Sequence, residues 1–125
     1  MQGPVAIVLG NCIRIFFAAR TSNGKSYPAY VDVDKSNPQK VTDVHEQPIM
    51  PFGPTGTFDD EGIMPACVLP VNGILRMYYS GWNRRTTIPC HNTTGMATSY
   101  DNGNTFQRDF DGPILERTPH EPYMA

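Results

Sequence analysis

The sequence predicts an all-β fold built from two copies of one four-stranded antiparallel unit. The first observation is a repeat, because residues 4–18 align without a gap on residues 66–80 at one constant offset. The second is the frequency of turn formers, since 12 Pro and 11 Gly among 125 residues are typical of short elements joined by tight turns. The third is that no longer segment has the apolar period of about 3.6 residues of an amphipathic helix, so we expect negligible helix.

The strands of the second copy are placed by their apolar residues and by the turns between them. They are predicted at residues 64–71, 74–81, 94–100 and 105–110. Asn72-Gly73 and Asp101-Asn102-Gly103 supply two of the turns. Four antiparallel strands per repeat form a β-propeller blade. We therefore predict a single domain of two blades, at about 1–58 and 59–119, with 120–125 starting the next inner strand.

The segment 99–106 reads Ser-x-Asp-x-Gly-x-Thr-Phe, which is the Asp-box pattern found on propeller blades. In such a turn Asp101 accepts hydrogen bonds from nearby amides, Gly103 supplies a positive φ, and Phe106 packs beneath the hairpin. The pattern therefore predicts a blade and assigns these side chains to holding its turn.

Arg14 and Arg76 occupy the same repeat position, within strands of otherwise apolar residues. A repeated arginine in this setting favours a structural role, in which the aliphatic stem is buried and the guanidinium pairs with a group on the adjacent blade. We predict that role for both.

The charge balance excludes nucleic acid as the main partner. The net charge is −2, and the ten Lys and Arg residues are scattered along the chain. The apolar stretch 5–9 is too short to span a bilayer or to act as a signal core. We expect a soluble, cytoplasmic protein with no membrane partner.

Cysteine and histidine spacings indicate neither a disulfide framework nor a metal site. Cys12, Cys67 and Cys90 are odd in number and contain no CxxC pair, so we expect free thiols. His91 and His120 lie far apart in sequence and His45 adjoins an acidic residue, so no zinc-type spacing occurs. No metal and no cofactor are predicted.

Four motifs follow one another along nearly the whole chain. In order they are Phe58-Asp59-Asp60-Glu61-Gly62-Ile63-Met64-Pro65, Met77-Tyr78-Tyr79-Ser80-Gly81-Trp82, the Asp-box and Gly112-Pro113-Ile114-Leu115. Together they resemble the glycosidase-type five-bladed propeller superfamily, which includes glycoside hydrolase families 43 and 32. The resemblance implies a carbohydrate-active protein with a central tunnel, and an acidic sugar site where the innermost strand of each blade begins.

The resemblance places Asp59 and Asp60 at the start of one innermost strand and Glu121 at the start of the next, as candidate catalytic residues. Glycoside hydrolysis uses two carboxyl groups about 5–9.5 Å apart, and Asp60 and Glu121 suit such a pair. A solvated loop that caps turns accounts equally for the acidic triplet 59–61. Family members commonly carry Asp-Pro where this chain has Glu121-Pro122, and they take their catalytic carboxylates from three different blades.

Trp82 is the only tryptophan and precedes Asn83-Arg84-Arg85. An indole beside guanidinium groups suits stacking on a sugar face with hydrogen bonds to hydroxyls or a carboxylate. Core packing or a solvated loop explains the same residues without a ligand. The residues predicted to bind the sugar are Trp82, Arg85, Arg20, His91 and His120.

Two blades by themselves leave strand edges unpaired and apolar faces uncovered. We expect self-association to complete the propeller, with a homotrimer of six blades favoured over a homodimer of four. The other explanation is that the sequence is a fragment of a longer protein. Because identical subunits repeat the same site around a ring, a noncatalytic lectin-like or interaction propeller is the alternative to a glycoside hydrolase.

Overall fold

The computed structural model describes residues 2–122 and contains eight β-strands. They are β1 (Gln2–Leu9), β2 (Cys12–Arg20), β3 (Ser26–Asp34), β4 (Val41–Val44), β5 (Gly62–Val71), β6 (Ile74–Arg84), β7 (Cys90–Ser99) and β8 (Gln107–Arg108). Residues 2–122 contain no helix, and therefore none that could cross a membrane. The all-β prediction is confirmed.

The strands form two antiparallel meanders of four strands each. Strands β1 to β4 pair in sequence order, and so do β5 to β8. One parallel bridge, between Ser26 on β3 and Gly62 on β5, joins the meanders into one open sheet. We call β1–β4 the first blade and β5–β8 the second blade. The open sheet is consistent with part of a propeller.

Each strand of the second blade begins and ends within four residues of its predicted bounds. Strands β6 and β7 extend beyond the predicted 74–81 and 94–100, because Trp82 pairs with Asn92 and Arg84 pairs with Cys90. Trp82 thus lies inside β6 and does not follow it. Strand β8 is shorter than the predicted 105–110, and residues 120–122 form no strand. Residues 123–125 lie outside the described part of the chain.

The turn between β7 and β8 is held by its own side chains. Asp101 accepts hydrogen bonds from the amide and the hydroxyl of Thr105, at 2.9 and 2.6 Å, and Ser99 Oγ accepts one from the Gly103 amide at 2.8 Å. Burial raises the pKa of Asp101, but these bonds outweigh it and hold the pKa below its usual value. Gly103 has a φ of +84°, and Phe106 is buried.

The core lies between the two blades. One face of β2, carrying Phe16, packs against the opposite face of β6, carrying Met77 and Tyr79, and all three side chains are fully buried. The Phe16 ring meets Phe106 edge to face, with ring centroids 5.7 Å apart. This arrangement buries one face of each blade and leaves the other face uncovered.

Arg14 crosses this interface from β2. It makes a two-pronged ion pair with Asp32 at 2.7 and 2.8 Å, and its Nη1 donates to Asn102 O and Asn104 Oδ1 in the second blade, both at 2.9 Å. Burial lowers its pKa, yet the hydrogen bonds and charge of Asp32 raise it overall. The predicted role between blades is confirmed for Arg14.

Candidate functional site

The start of β5 and the loop between β2 and β3 lie at one end of the sheet. Antiparallel pairing places Gly62, at the start of β5, beside Trp82, near the end of β6. It also places Arg20, at the end of β2, beside Ser26, at the start of β3. The bridge between Ser26 and Gly62 holds these two ends together. We call this end the mouth, because the sequence places the candidate sugar site there.

A cavity of about 390 Å³ opens at the mouth and is walled by both blades. Its lining residues are Gln2, Arg20, Gly24, Met64, Trp82, Arg84, Pro89, Cys90 and Asn92. Trp82 is 8% exposed and packs over Gly62, where any side chain would overlap the indole. The glycine therefore lets the indole lie flat against the backbone and form one wall of the cavity.

Arg84 is fixed in this wall by groups from both blades. Its Nη1 lies 3.3 Å from Glu61 Oε1, and its Nη2 donates to Asn23 O of the first blade at 2.9 Å. Glu61 also accepts a hydrogen bond from the Arg84 amide at 3.1 Å. Arg20 presents an exposed guanidinium from the other blade. The cavity is thus bordered by an indole and two guanidiniums.

Asp59 is fully buried, and its carboxylate oxygens are occupied. Oδ2 lies 2.8 Å from Arg108 Nε and accepts the Tyr79 hydroxyl at 3.0 Å, while Oδ1 accepts the Thr57 hydroxyl at 3.2 Å. Burial and then the charge of Asp59 raise the Tyr79 pKa well above its ordinary value, so this phenol stays protonated and donates. These contacts hold the Asp59 side chain in place and so position the 57–61 segment.

Asp60 is half-buried and differs from its neighbour in having an unoccupied oxygen. Its Oδ2 accepts the Gly56 amide at 2.7 Å, whereas its Oδ1 is buried without a hydrogen-bond partner among residues 2–122. Lys25 Nζ of the first blade donates to the Asp60 backbone carbonyl at 3.0 Å. Of the predicted acidic residues, Asp60 is the one whose carboxylate combines partial burial with a free acceptor.

Arg85 and His91 contact each other. The Arg85 Nη2 atom lies 3.2 Å from His91 Nδ1. On the other side of the ring, His91 Nε2 lies 3.3 Å from Glu116 Oε1, but this second contact does not have hydrogen-bond geometry. The Arg117 amide, which donates to Glu116 Oε1, lowers the pKa of Glu116 and outweighs the opposing effect of burial. Because a guanidinium only donates, Nδ1 accepts, and the His91 proton sits on Nε2 facing Glu116.

His120 and Glu121 lie in an exposed turn near the end of the described chain. The Glu121 amide donates to Thr118 O at 3.0 Å, and its Oε2 accepts the Thr118 hydroxyl at 3.2 Å. Neither residue lines the cavity. Their assignment to a sugar site remains a prediction.

The structure therefore brings together some predicted residues and separates others. Trp82 and Arg20 line one cavity, Arg85 contacts His91, and Asp60 lies in the segment that leads into β5. The predicted binding residues include Arg85 but not Arg84 or Asn92, which line the cavity. The pairing of β6 with β7 carries both into the cavity wall, whereas the predicted strands 74–81 and 94–100 leave residues 82–93 outside the sheet. Within residues 2–122, no three His, Cys, Asp or Glu side chains are grouped to hold a metal ion.

Two curated proteins are similar in sequence to this chain. No family model matches the chain. It is 32% identical over 114 residues to two uncharacterised proteins of Mycobacterium tuberculosis, MT1551 and Rv1502, and the match covers 91% of this chain and 38% of each of theirs. The chain thus spans little more than a third of the curated relatives it matches.

A solved structure shares the fold over almost the whole chain. It comes from work on the GH130 family of mannoside phosphorylases, which contains glycoside hydrolases that target β-1,2 mannosidic linkages in Candida mannan. The TM-score is 0.66 at 18% identity, over 98% of this chain and 34% of the other. The chain therefore shares its fold with about a third of that structure, and nothing in the match selects families 43 or 32.

Proposed function

We propose that this chain belongs to a carbohydrate-active propeller and binds a glycan in the mouth cavity. The observation that carries the proposal is the cavity wall, to which Trp82, Arg84 and Arg20 all contribute. An aromatic face beside fixed donors matches a sugar ring, which has apolar C–H faces and hydroxyls at its rim. The fold shared with GH130 proteins is the second support.

Hydrolysis is the reaction class that the acidic segment favours. A general acid or base needs a carboxyl oxygen that is not already engaged by a hydrogen bond within the protein. Asp60 has such a setting, with one occupied and one free oxygen. Asp59 would hold the segment in place, and Glu121 or a carboxylate from a further blade would act as base or nucleophile.

A noncatalytic lectin-like role is the second candidate. It is favoured by the occupied carboxylate of Asp59 and by the exposed turn that holds Glu121, because a hydrolase needs a second available carboxylate at the mouth. Binding needs only the cavity wall.

Turnover of a panel of aryl glycosides separates the two. A hydrolase loses activity by at least roughly a hundredfold in Asp60→Asn and in Glu121→Gln, while the exposed Asp111→Asn control is unchanged. Retention on immobilised glycans that persists in Asp60→Asn, with no turnover by the parent protein, establishes the lectin-like role. Absence of both turnover and retention contradicts the proposal.

A further inference from the structure

Folding gathers at the mouth basic residues that are scattered along the sequence. The loops that connect β2 to β3 and β6 to β7 both lie at this end, since β2 and β6 end there. With their flanking residues these loops span 20–26 and 84–90, and we call them the basic loops. They include four of the ten Lys and Arg residues of the chain and none of its twelve Asp and Glu residues. The four are Arg20, Lys25, Arg84 and Arg85.

The two basic loops touch each other, although each belongs to a different blade. Arg84 Nη2 donates to Asn23 O at 2.9 Å, and a Cβ added at Gly24 would lie 3.0 Å from the same nitrogen. The mouth cavity lies between the loops, with Arg20 in its wall from the first loop and Arg84 and Cys90 from the second. Both loops are part of this chain, so the arrangement forms within these two blades.

The acidic segment 59–61, which leads into β5, does not neutralise Arg20. Each residue of the segment is contacted by a different basic side chain. The three contacts join Asp59 to Arg108, Asp60 to Lys25 and Glu61 to Arg84. None of the ion pairs among residues 2–122 includes Arg20, and no Asp or Glu of that range lines the cavity. The cavity wall is therefore basic, although the whole chain has a net charge of −2.

We infer that the mouth cavity binds a sugar that carries an anionic group, either a ring carboxylate or a sulfate ester. The inference rests on the proposed function and adds the charge of the ligand to it. The anionic group meets Arg20, whose planar guanidinium donates two parallel N–H···O bonds to such an acceptor. A neutral ring that displaces water from Arg20 gives its charge no ionic acceptor, so the basic wall favours the anion.

Matched pairs of ligands test the charge separately from glycan binding. The first pairs are oligosaccharides of glucuronate, galacturonate and mannuronate, each as the free acid and as the methyl ester. A sulfated galactan oligosaccharide and its desulfated form distinguish a sulfate ester from a carboxylate. Isothermal titration calorimetry should show the charged member of at least one pair binding about tenfold or more tightly than its neutral partner. This preference should fall severalfold between about 20 mM and about 0.5 M salt, because salt screens the attraction.

Substitutions of Arg20 locate the recognition of the charge. Arg20→Gln should reduce the preference for the charged member by about fivefold or more, whereas Arg20→Lys, which keeps the charge, should retain more of the preference. Lys40→Gln is the matched control. It also removes one positive charge, but near the other end of β3, where the Asp34 amide donates to Lys40 O. This control should keep the preference of the parent protein.

The outcomes separate this inference from the proposed function. Equal affinity for the two members of every pair overturns the inference and leaves glycan binding in the mouth standing. An equal loss of affinity for the charged and the neutral member in Arg20→Gln overturns it as well, because Arg20 would then act on the sugar and not on its charge. Absence of binding by every member, charged or neutral, contradicts the proposed function itself.

Discussion

Asp59 and Arg108 form a buried ion pair that ties the mouth of the second blade to its outermost strand. The Nε to Oδ2 distance is 2.8 Å, and the Asp59 carboxylate also accepts the Tyr79 hydroxyl. Arg108 Nη2 donates to Pro51 O at 2.6 Å, so the same guanidinium holds the segment between the blades. These buried contacts of Asp59 and Arg108 thus fix the acidic segment 59–61.

Removing either partner of this pair should destabilise the protein. Asp59→Asn and Arg108→Met should each lower the free energy of unfolding by about 3 kcal/mol, because the remaining charge is left buried without its partner. Urea denaturation measures the change. The control is Glu61→Gln, whose pair with the half-exposed Arg84 should contribute less than about 1 kcal/mol. Equal effects at Asp59 and Glu61 would contradict the structural role of the buried pair.

Gly62 should be required for the cavity wall. Gly62→Ala places a methyl group where the Trp82 indole lies, so the indole must move and glycan affinity should fall by about tenfold or more. Gly112→Ala is the matched control, since a side chain at Gly112 meets no atom within 4 Å. Binding isotherms for both variants provide the measurement. Unchanged affinity in Gly62→Ala would show that Trp82 does not form the binding surface.

Asp101 should contribute stability that is lost in acid. Its pKa in the folded protein lies below its unfolded value, so the stabilisation is fully present above about pH 4 and disappears as the pH falls through the folded value. Thermal unfolding measured from about pH 6 to about pH 2 should show a smaller acid-induced decrease in Asp101→Asn than in the parent protein. Asp111→Asn should keep the decrease of the parent, and a parallel curve for Asp101→Asn would refute the role of Asp101.

The two repeated arginines should respond differently to the same substitution. Arg14→Met leaves Asp32 without its partner inside the interface and should cost about 3 kcal/mol of unfolding free energy. Arg76→Met removes a guanidinium whose Nε has no hydrogen-bond partner among residues 2–122, so it should cost less than about 1 kcal/mol. Urea denaturation makes the comparison. Equal costs would mean that Arg76 is already paired within its own chain.

Local features of the fold could be predicted from the sequence, because the information that determines them is local. Asn72-Gly73 connects β5 to β6 with positive φ at both residues, as an Asn-Gly pair between apolar runs predicts. The repeat likewise predicted that Arg14 would reach a neighbouring blade. These inferences needed only adjacent residues or a constant offset.

The site could be predicted only in part, because its contacts join distant residues. Asp59 and Arg108 are far apart in sequence, and no pattern indicates that Arg108 would neutralise the predicted catalytic residue. Arg84 lies beyond the predicted strand 74–81, although pairing with Cys90 keeps it in β6, and it lines the cavity at the mouth. Trp82 was identified by its chemistry alone, whereas its flat packing depends on Gly62.

The most direct test of the proposed function is a titration of the fluorescence of Trp82, the single tryptophan of the chain. Because its indole forms a wall of the mouth cavity, a bound glycan should change the emission in a saturable way, and Gly62→Ala should weaken the response while Gly112→Ala preserves it. A set of neutral and acidic oligosaccharides supplies the ligands. If none of them changes the emission at millimolar concentration, the account of the mouth as a sugar site is contradicted.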